Sequence, residues 1–152
     1  MKLAEGLVLR KDYQKRLQQL KDRILRNCLV QEGEVPSEDP AALMEEYDKI
    51  CADLDQLVQR INKANLSNAV GRFSNVADAL FHRNLQRQRH EVYASIAAQA
   101  SGQQFRGTRT EIKTVSVVKA ADVQRIVDDA AKEARETDVL IQQANWSVDI
   151  PA

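Results

Sequence analysis

One heptad pattern in the second quarter of the chain constrains the fold more than any other feature. Apolar residues recur there at alternating steps of four and three: Leu43, Tyr47, Ile50, Leu54, Leu57, Ile61 and Ala64. This spacing keeps one stripe of an α-helix facing a partner helix along its length. Asp39, a good N-cap acceptor, and Pro40, which suits the first helical position, stand just before it. The sequence therefore predicts a long helix that begins at Pro40 and packs lengthwise against other helices.

The composition suits long helices with charged outer faces. The 152 residues include 22 basic and 22 acidic side chains, so the net charge is zero. Charged residues make up 29% of the chain and aromatic residues only 5%, a balance typical of extended helices rather than aromatic-rich cores. We expect one helical domain over residues 1–152, with no overall basic field that would indicate a nucleic-acid partner.

Helical spacing elsewhere predicts three further helices, so the expected fold class is mainly all-α. The expected architecture is a set of long antiparallel hairpins or a coiled-coil bundle of about four helices. The predicted helices span residues 3–28, 40–65, 75–100 and 122–145. Gly33 and Pro36 end helix propagation in the first connection.

The third helix carries the poorest apolar pattern of the four. Its core-facing stripe is predicted to be Ala77, Phe81, Leu85, Val92 and Ile96. Ser74 is expected to cap this helix, and Asp122 is expected to cap the fourth.

One stretch outside the helices favours extended backbone. Residues 112–118 are rich in β-branched side chains, which predicts one short β segment near 111–118. A lone strand needs a partner, either an irregular segment or another subunit. No internal repeat is evident. Cys28 and Cys51 are expected to be free, because a hairpin would place them roughly 14 Å apart.

The densest polar patch lies in the predicted third helix. Arg83, Arg87 and His90 share one face at positions i, i+4 and i+7. Such a row can hold a phosphate or an RNA backbone, or it can be solvated or paired with acidic side chains. Arg106 and Arg109 form a second basic group in a connecting segment, where a polyanion site is a further possibility.

Patterns that carry catalysis or metal binding are missing from the sequence. It has no glycine-rich phosphate loop, nucleophile elbow or zinc-ligand spacing. His82 and His90 would lie roughly 12 Å apart along a helix, too far to share one metal ion within a subunit. We expect no enzyme activity, no metal and no cofactor.

Several stretches resemble the septicolysin-like family of small bacterial proteins, whose functions are largely unknown. They are residues 1–12, the segment from Arg26 to Pro40, Arg109–Lys113 and Ala144–Trp146. The resemblance implies an α-helical fold and a homo-oligomer. The family takes its name from a member described as a pore-forming cytolysin. A membrane-active function is therefore a further alternative, and it is the least favoured one.

The expected function is that of a structural or interaction protein. Its heptad seams would build a homo-oligomer in the cytoplasm, because no signal peptide or membrane-spanning run is present. The alternative is a helical hairpin that binds RNA or another polyanion.

Overall fold

The computed structural model describes residues 1–102 and 114–151 and confirms the all-α fold. Four helices follow one another along the chain: α1 Leu3–Asn27, α2 Pro40–Ser67, α3 Val76–Ala100 and α4 Ala120–Ser147. Each begins and ends within two residues of its predicted bounds. Internal contacts divide the chain into two compact units. Unit 1 comprises Met1–Asn68 with the segment from Ala144 onward, and unit 2 comprises Ala69–Gln143. The single domain predicted over 1–152 stays a prediction.

Unit 1 buries the heptad seam of α2 against α1. Leu20, Leu43 and Ile50 form one buried cluster. A second cluster joins Leu3, Leu57, Ile61, Ala64 and Ile150. The α2 seam is therefore confirmed, and its helix begins as predicted, because Asp39 Oδ1 accepts from Ala41 N over 3.0 Å.

The connection between α1 and α2 is organised by one buried amide. Asn27 is 7% exposed. Its Oδ1 accepts from Ser37 Oγ at 2.9 Å and from Glu38 N at 3.1 Å, and its Nδ2 donates to Arg23 O at 2.8 Å. Arg23 in turn donates Nε–H to Glu38 Oε2 over 3.1 Å. These bonds hold the chain in place just before the α2 cap.

The C-terminal segment of unit 1 pairs with the start of α1. Leu3 N donates to Val148 O, and Ile150 N donates to Met1 O, both over 2.9 Å. Lys2 Nζ contacts Asp149 Oδ2 at 2.9 Å. Ile150 packs directly on Gly6, where a Cβ atom would lie 2.2 Å from Ile150 Cδ1.

Two predicted caps in unit 2 are wrong, by one and by three residues. Asn75, not Ser74, caps α3, because its Oδ1 accepts from Asp78 N over 2.8 Å. The last helix begins at Ala120, ahead of Asp122. There the Lys119 carbonyl accepts from the backbone N–H groups of Asp122 and Val123, so Asp122 lies within the first turn.

The predicted β segment differs from what the structure gives. Residues 111–113 lie outside the described residues, and 114–118 form no strand. Ser116 Oγ donates to Val118 O at 2.7 Å and accepts from Val118 N at 3.3 Å. This local turn occupies backbone groups that a strand would offer to a partner.

The free cysteines are confirmed, although Cys28 is exposed and only Cys51 is partly buried.

The chain contains an internal repeat that was not evident from the sequence. Helices α1 and α3 are each 25 residues long, and α2 and α4 are each 28. The order of buried, partly buried and exposed residues over 43–70 recurs almost unchanged over 123–150. The order over 3–20 likewise recurs over 76–93. The clearest sequence trace pairs Leu-Ala-Glu-Gly-Leu-Val-Leu-Arg at residues 3–10 with Val-Ala-Asp-Ala-Leu-Phe-His-Arg at 76–83. The repeat therefore assigns each residue of α1 and α2 an equivalent in α3 and α4.

Candidate ligand cleft between α3 and α4

Helix α3 faces its partner with the side opposite to the one predicted. Phe81, Leu85, Val92 and Ile96 are all exposed. The partly buried side instead carries heptad-spaced residues, namely Ala79, Arg83, Gln86, His90, Tyr93 and Ala97. Their equivalents in α1 are Gly6, Arg10, Tyr13, Leu17, Leu20 and Ile24. The prediction failed because it assumed that the more apolar side of a helix faces its partner.

An ion pair joins the two helices at the centre of this seam. Arg83 Nη1 lies 2.7 Å from Asp138 Oδ1, and Arg87 Nη2 lies 3.5 Å from the same oxygen. The Arg83 side chain is 16% exposed and the Arg87 side chain 54%. Asp138 therefore takes most of its charge compensation from Arg83, which leaves Arg87 more open to solvent.

A second polar cluster is centred on Glu133, five residues before Asp138 on α4. Glu133 pairs with Arg72, and its Oε1 lies 2.9 Å from His82 Nε2. Arg72 also stacks over Phe73 with its guanidinium carbon 5.1 Å from the ring centroid. Because Glu133 on α4 pairs with Arg72, the cluster connects the segment just before α3 to α4.

An open cleft of about 440 Å³ lies in unit 2 beside the ion pair. Its wall from α3 consists of Arg87, His90 and Glu91. Its wall from α4 consists of Ala131, Ala134, Arg135, Asp138 and Val139. The cleft thus combines a small apolar surface on α4 with a charged edge on both helices. Its volume falls within the range of small-molecule sites.

The cleft exists because the second hairpin has smaller and more polar seam residues than the first. Leu17 of α1 is replaced by His90, and Ile50 and Leu54 of α2 are replaced by Ala130 and Ala134. The first hairpin fills the same region with Leu17, Tyr47 and Ile50 in a single cluster. Gln86, which replaces Tyr13, has a buried Oε1 with no hydrogen-bond partner among the described residues.

Three of the five predicted site residues come together here. Arg83 and Arg87 meet at Asp138, and His90 joins Arg87 on the cleft wall. Arg106 and Arg109 lie outside the described residues. Sequence reasoning missed Ala134, Arg135 and Asp138. The available signal was the small-residue seam of α4, where α2 has large apolar residues at the equivalent positions.

The geometry defines a four-helix protein made of two repeated hairpins, one with a filled seam and one with a cleft. The model of a family of unknown function, DUF6847, matches residues 10–150, and the chain belongs to that family. It is also similar to a protein described as a functionally unknown conserved protein from Corynebacterium diphtheriae, known from a crystal structure. That similarity has 34% sequence identity, a TM-score of 0.87 and coverage of 99% of each chain. None of the curated proteins matches this chain.

These findings correct the resemblance drawn from short sequence stretches. The assignment to the septicolysin-like family is wrong, because the matching family and the structural relative carry no such name. The matched stretches were too short and too dispersed to identify a family. Among the described residues, no helix is long and apolar enough to cross a membrane.

Proposed function

We propose that this protein is a self-associating helical interaction protein of the cytoplasm, without catalytic activity. Its interface is the α3 stripe, defined as Phe81, Leu85, Val92 and Ile96. These side chains are 70%, 47%, 50% and 38% exposed. Four large apolar side chains exposed on one side of a single helix are the observation that supports the proposal, since exposed apolar patches commonly mark interaction sites.

Comparison with the repeat shows that the fold itself does not require an apolar row at this place. The equivalents of Leu85, Val92 and Ile96 in α1 are Asp12, Gln19 and Arg23. At these three positions α1 carries polar side chains, whereas α3 exposes large apolar ones; only the equivalent of Phe81, Val8, is apolar and exposed in both helices. An added function that rewards burial of these side chains explains the difference.

The spacing of the α3 stripe favours a second copy of the chain as the partner. Its residues lie four, seven and four positions apart, which reads the same in both directions. Two antiparallel copies would place Phe81 opposite Ile96 and Leu85 opposite Val92. The region between them is occupied by Gln88 and Arg89. A self-complementary patch of this kind is what a twofold-symmetric dimer needs.

Sedimentation velocity of the full chain at micromolar concentration tests the proposal. We expect a dimer for the natural sequence and a monomer for the double variant Leu85→Asp with Val92→Gln. Those substitutions introduce the residues that α1 carries at the same positions, so folding should be preserved. Leu25→Asp is the matched control, because Leu25 is also exposed, at 61%, but lies on α1. A monomeric natural protein, or a double variant that still dimerises, would refute the proposal.

The nucleic-acid alternative has weaker support. Two of the three residues that would contact phosphate, Arg83 and Arg87, are paired with Asp138. Polyanion binding by this row would require the pair to open or only Arg87 and His90 to act. A salt-dependent gel shift with RNA or DNA, lost in Arg87→Gln, would favour the alternative.

A further inference from the structure

We infer that the cleft between α3 and α4 binds a small organic monocarboxylate with a short aliphatic body. This site is separate from the α3 stripe, since seam and stripe positions lie on opposite sides of α3. The inference therefore does not depend on self-association.

The repeat shows that the opening is a property of the second hairpin and not of the fold. The first hairpin closes the same seam with Leu17, Tyr47 and Ile50, of which Ile50 is 5% exposed. In the second hairpin the equivalent of Leu54 is Ala134, which is 8% exposed and lines the cleft. The backbone scaffold is thus compatible with a filled seam, and the small side chains leave space for a ligand.

The charges around the cleft select one negative group. Arg87 and Arg135 line it together with Glu91 and Asp138, which sums to zero with His90 neutral. Arg83 does not line the cleft but holds Asp138 at 2.7 Å, so its charge adds one positive unit to the local balance. A single carboxylate matches this surplus. A dianionic phosphate would face repulsion from Glu91 and Asp138.

The uncharged part of the lining selects an apolar body. Ala131, Ala134 and Val139 form the α4 side of the cleft. They offer methyl groups to an aliphatic chain, and burial of each CH₂ group against them is favourable. The arginines beside them can donate paired hydrogen bonds to a carboxylate.

Octanoate, used below its micelle concentration, is a suitable probe. We expect ¹⁵N-labelled protein to show saturable shifts of the backbone signals of residues 87–91 and 131–139. Octanol tests the need for charge, and inorganic phosphate tests the need for the apolar body. Both should bind at least about tenfold more weakly, the scale of losing one charged hydrogen bond.

Variants taken from the repeat make the test specific. Ala134→Leu introduces the residue that α2 has at the equivalent position, and it should fill the cleft and abolish octanoate binding. Arg87→Gln should weaken binding by about tenfold, and it also serves if Ala134→Leu fails to fold by circular dichroism. Arg125→Gln is the control, because Arg125 lies on α4 with an 81% exposed side chain and does not line the cleft.

An absence of saturable shifts would overturn the inference. Undiminished binding by a folded Ala134→Leu or Arg87→Gln variant, or octanol binding as tight as that of octanoate, would do the same. Shifts confined to α3, with none at residues 131–139, would also overturn it, because they would assign the probe to the exposed row. The dimerisation of the natural chain is measured without octanoate, so each proposal can fail alone.

Discussion

Arg83 donates Nη1–H to Asp138 Oδ1 over 2.7 Å, whereas its equivalent in the first hairpin, Arg10, forms no ion pair with any of the described residues. The equivalent of Asp138 in α2 is Val58, and Arg10 Nε is buried without a hydrogen-bond partner among the described residues. The repeat thus keeps an arginine in both seams but gives only the second one a carboxylate. This asymmetry links the row formed by Arg83, Arg87 and His90 to the cleft beside it.

Removal of the Asp138 carboxylate should destabilise unit 2. In Asp138→Asn the 16% exposed Arg83 side chain loses its charged partner, and we expect a loss of about 1–3 kcal/mol in the free energy of unfolding. Urea denaturation measures it. The control is Asp122→Asn, whose pair with Arg125 spans 3.8 Å between exposed side chains and should contribute below about 1 kcal/mol. Equal losses in the two variants would contradict this assignment.

Gly6 and Ile150 should behave as a coupled pair. In Gly6→Ala the new Cβ atom would lie 2.2 Å from Ile150 Cδ1, and we expect overpacking to cost about 1–3 kcal/mol. Adding Ile150→Val removes that methyl group and should recover most of the loss. Unit 2 already has Ala79 and Val70 at the equivalent positions. A double-mutant cycle measures the coupling, and strictly additive effects would refute it.

Loss of the Asn27 amide should loosen the connection between α1 and α2. In Asn27→Ala, Glu38 N–H and the Ser37 hydroxyl lose their shared acceptor, at a cost of about 1–3 kcal/mol. Hydrogen exchange of the Glu38 amide should accelerate with it. Asn62→Ala, an exposed position on α2, is the control and should change neither quantity. Unchanged exchange at Glu38 would show that the bond is dispensable.

The Arg23–Glu38 pair should make stability fall in acid. The hydrogen bond from Arg23 holds the pKa of the Glu38 carboxyl below its ordinary value of 4.5. The unfolded chain therefore takes up this proton at higher pH than the folded one. The contribution of the pair is complete above about pH 4.5 and is lost as the pH falls through the lower, folded pKa.

Thermal unfolding of Glu38→Gln from neutral to acidic pH checks this expectation. Its difference in Tm from the natural protein should shrink as the pH falls. Glu34→Gln, an exposed residue in the same connection, provides the comparison. A difference that stays constant across the whole acidic range would speak against the assignment.

Most of the secondary structure could be predicted from local patterns. The seam of α2 was readable because its large apolar residues follow one heptad register without interruption, and Asp39 with Pro40 marks its start. Each of these signals acts within a few residues of the chain. The caps of α3 and α4 were missed, because Ser74 is passed over for the adjacent Asn75 and α4 begins with only the Lys119 carbonyl accepting from its first turn.

The sequence by itself determined four helices and the arginine row, because helix length, caps and side-chain spacing are local properties. Only the tertiary structure decided which side of α3 faces α4, that Asp138 receives Arg83, and that Ala134 borders a cleft. The repeat could not be predicted from the sequence either. The two copies share their pattern of burial, but Leu17, Ile50 and Leu54 correspond to the dissimilar residues His90, Ala130 and Ala134. The physical reason is that burial and pairing depend on residues distant in the chain, whereas periodicity reports only on the helix that carries it.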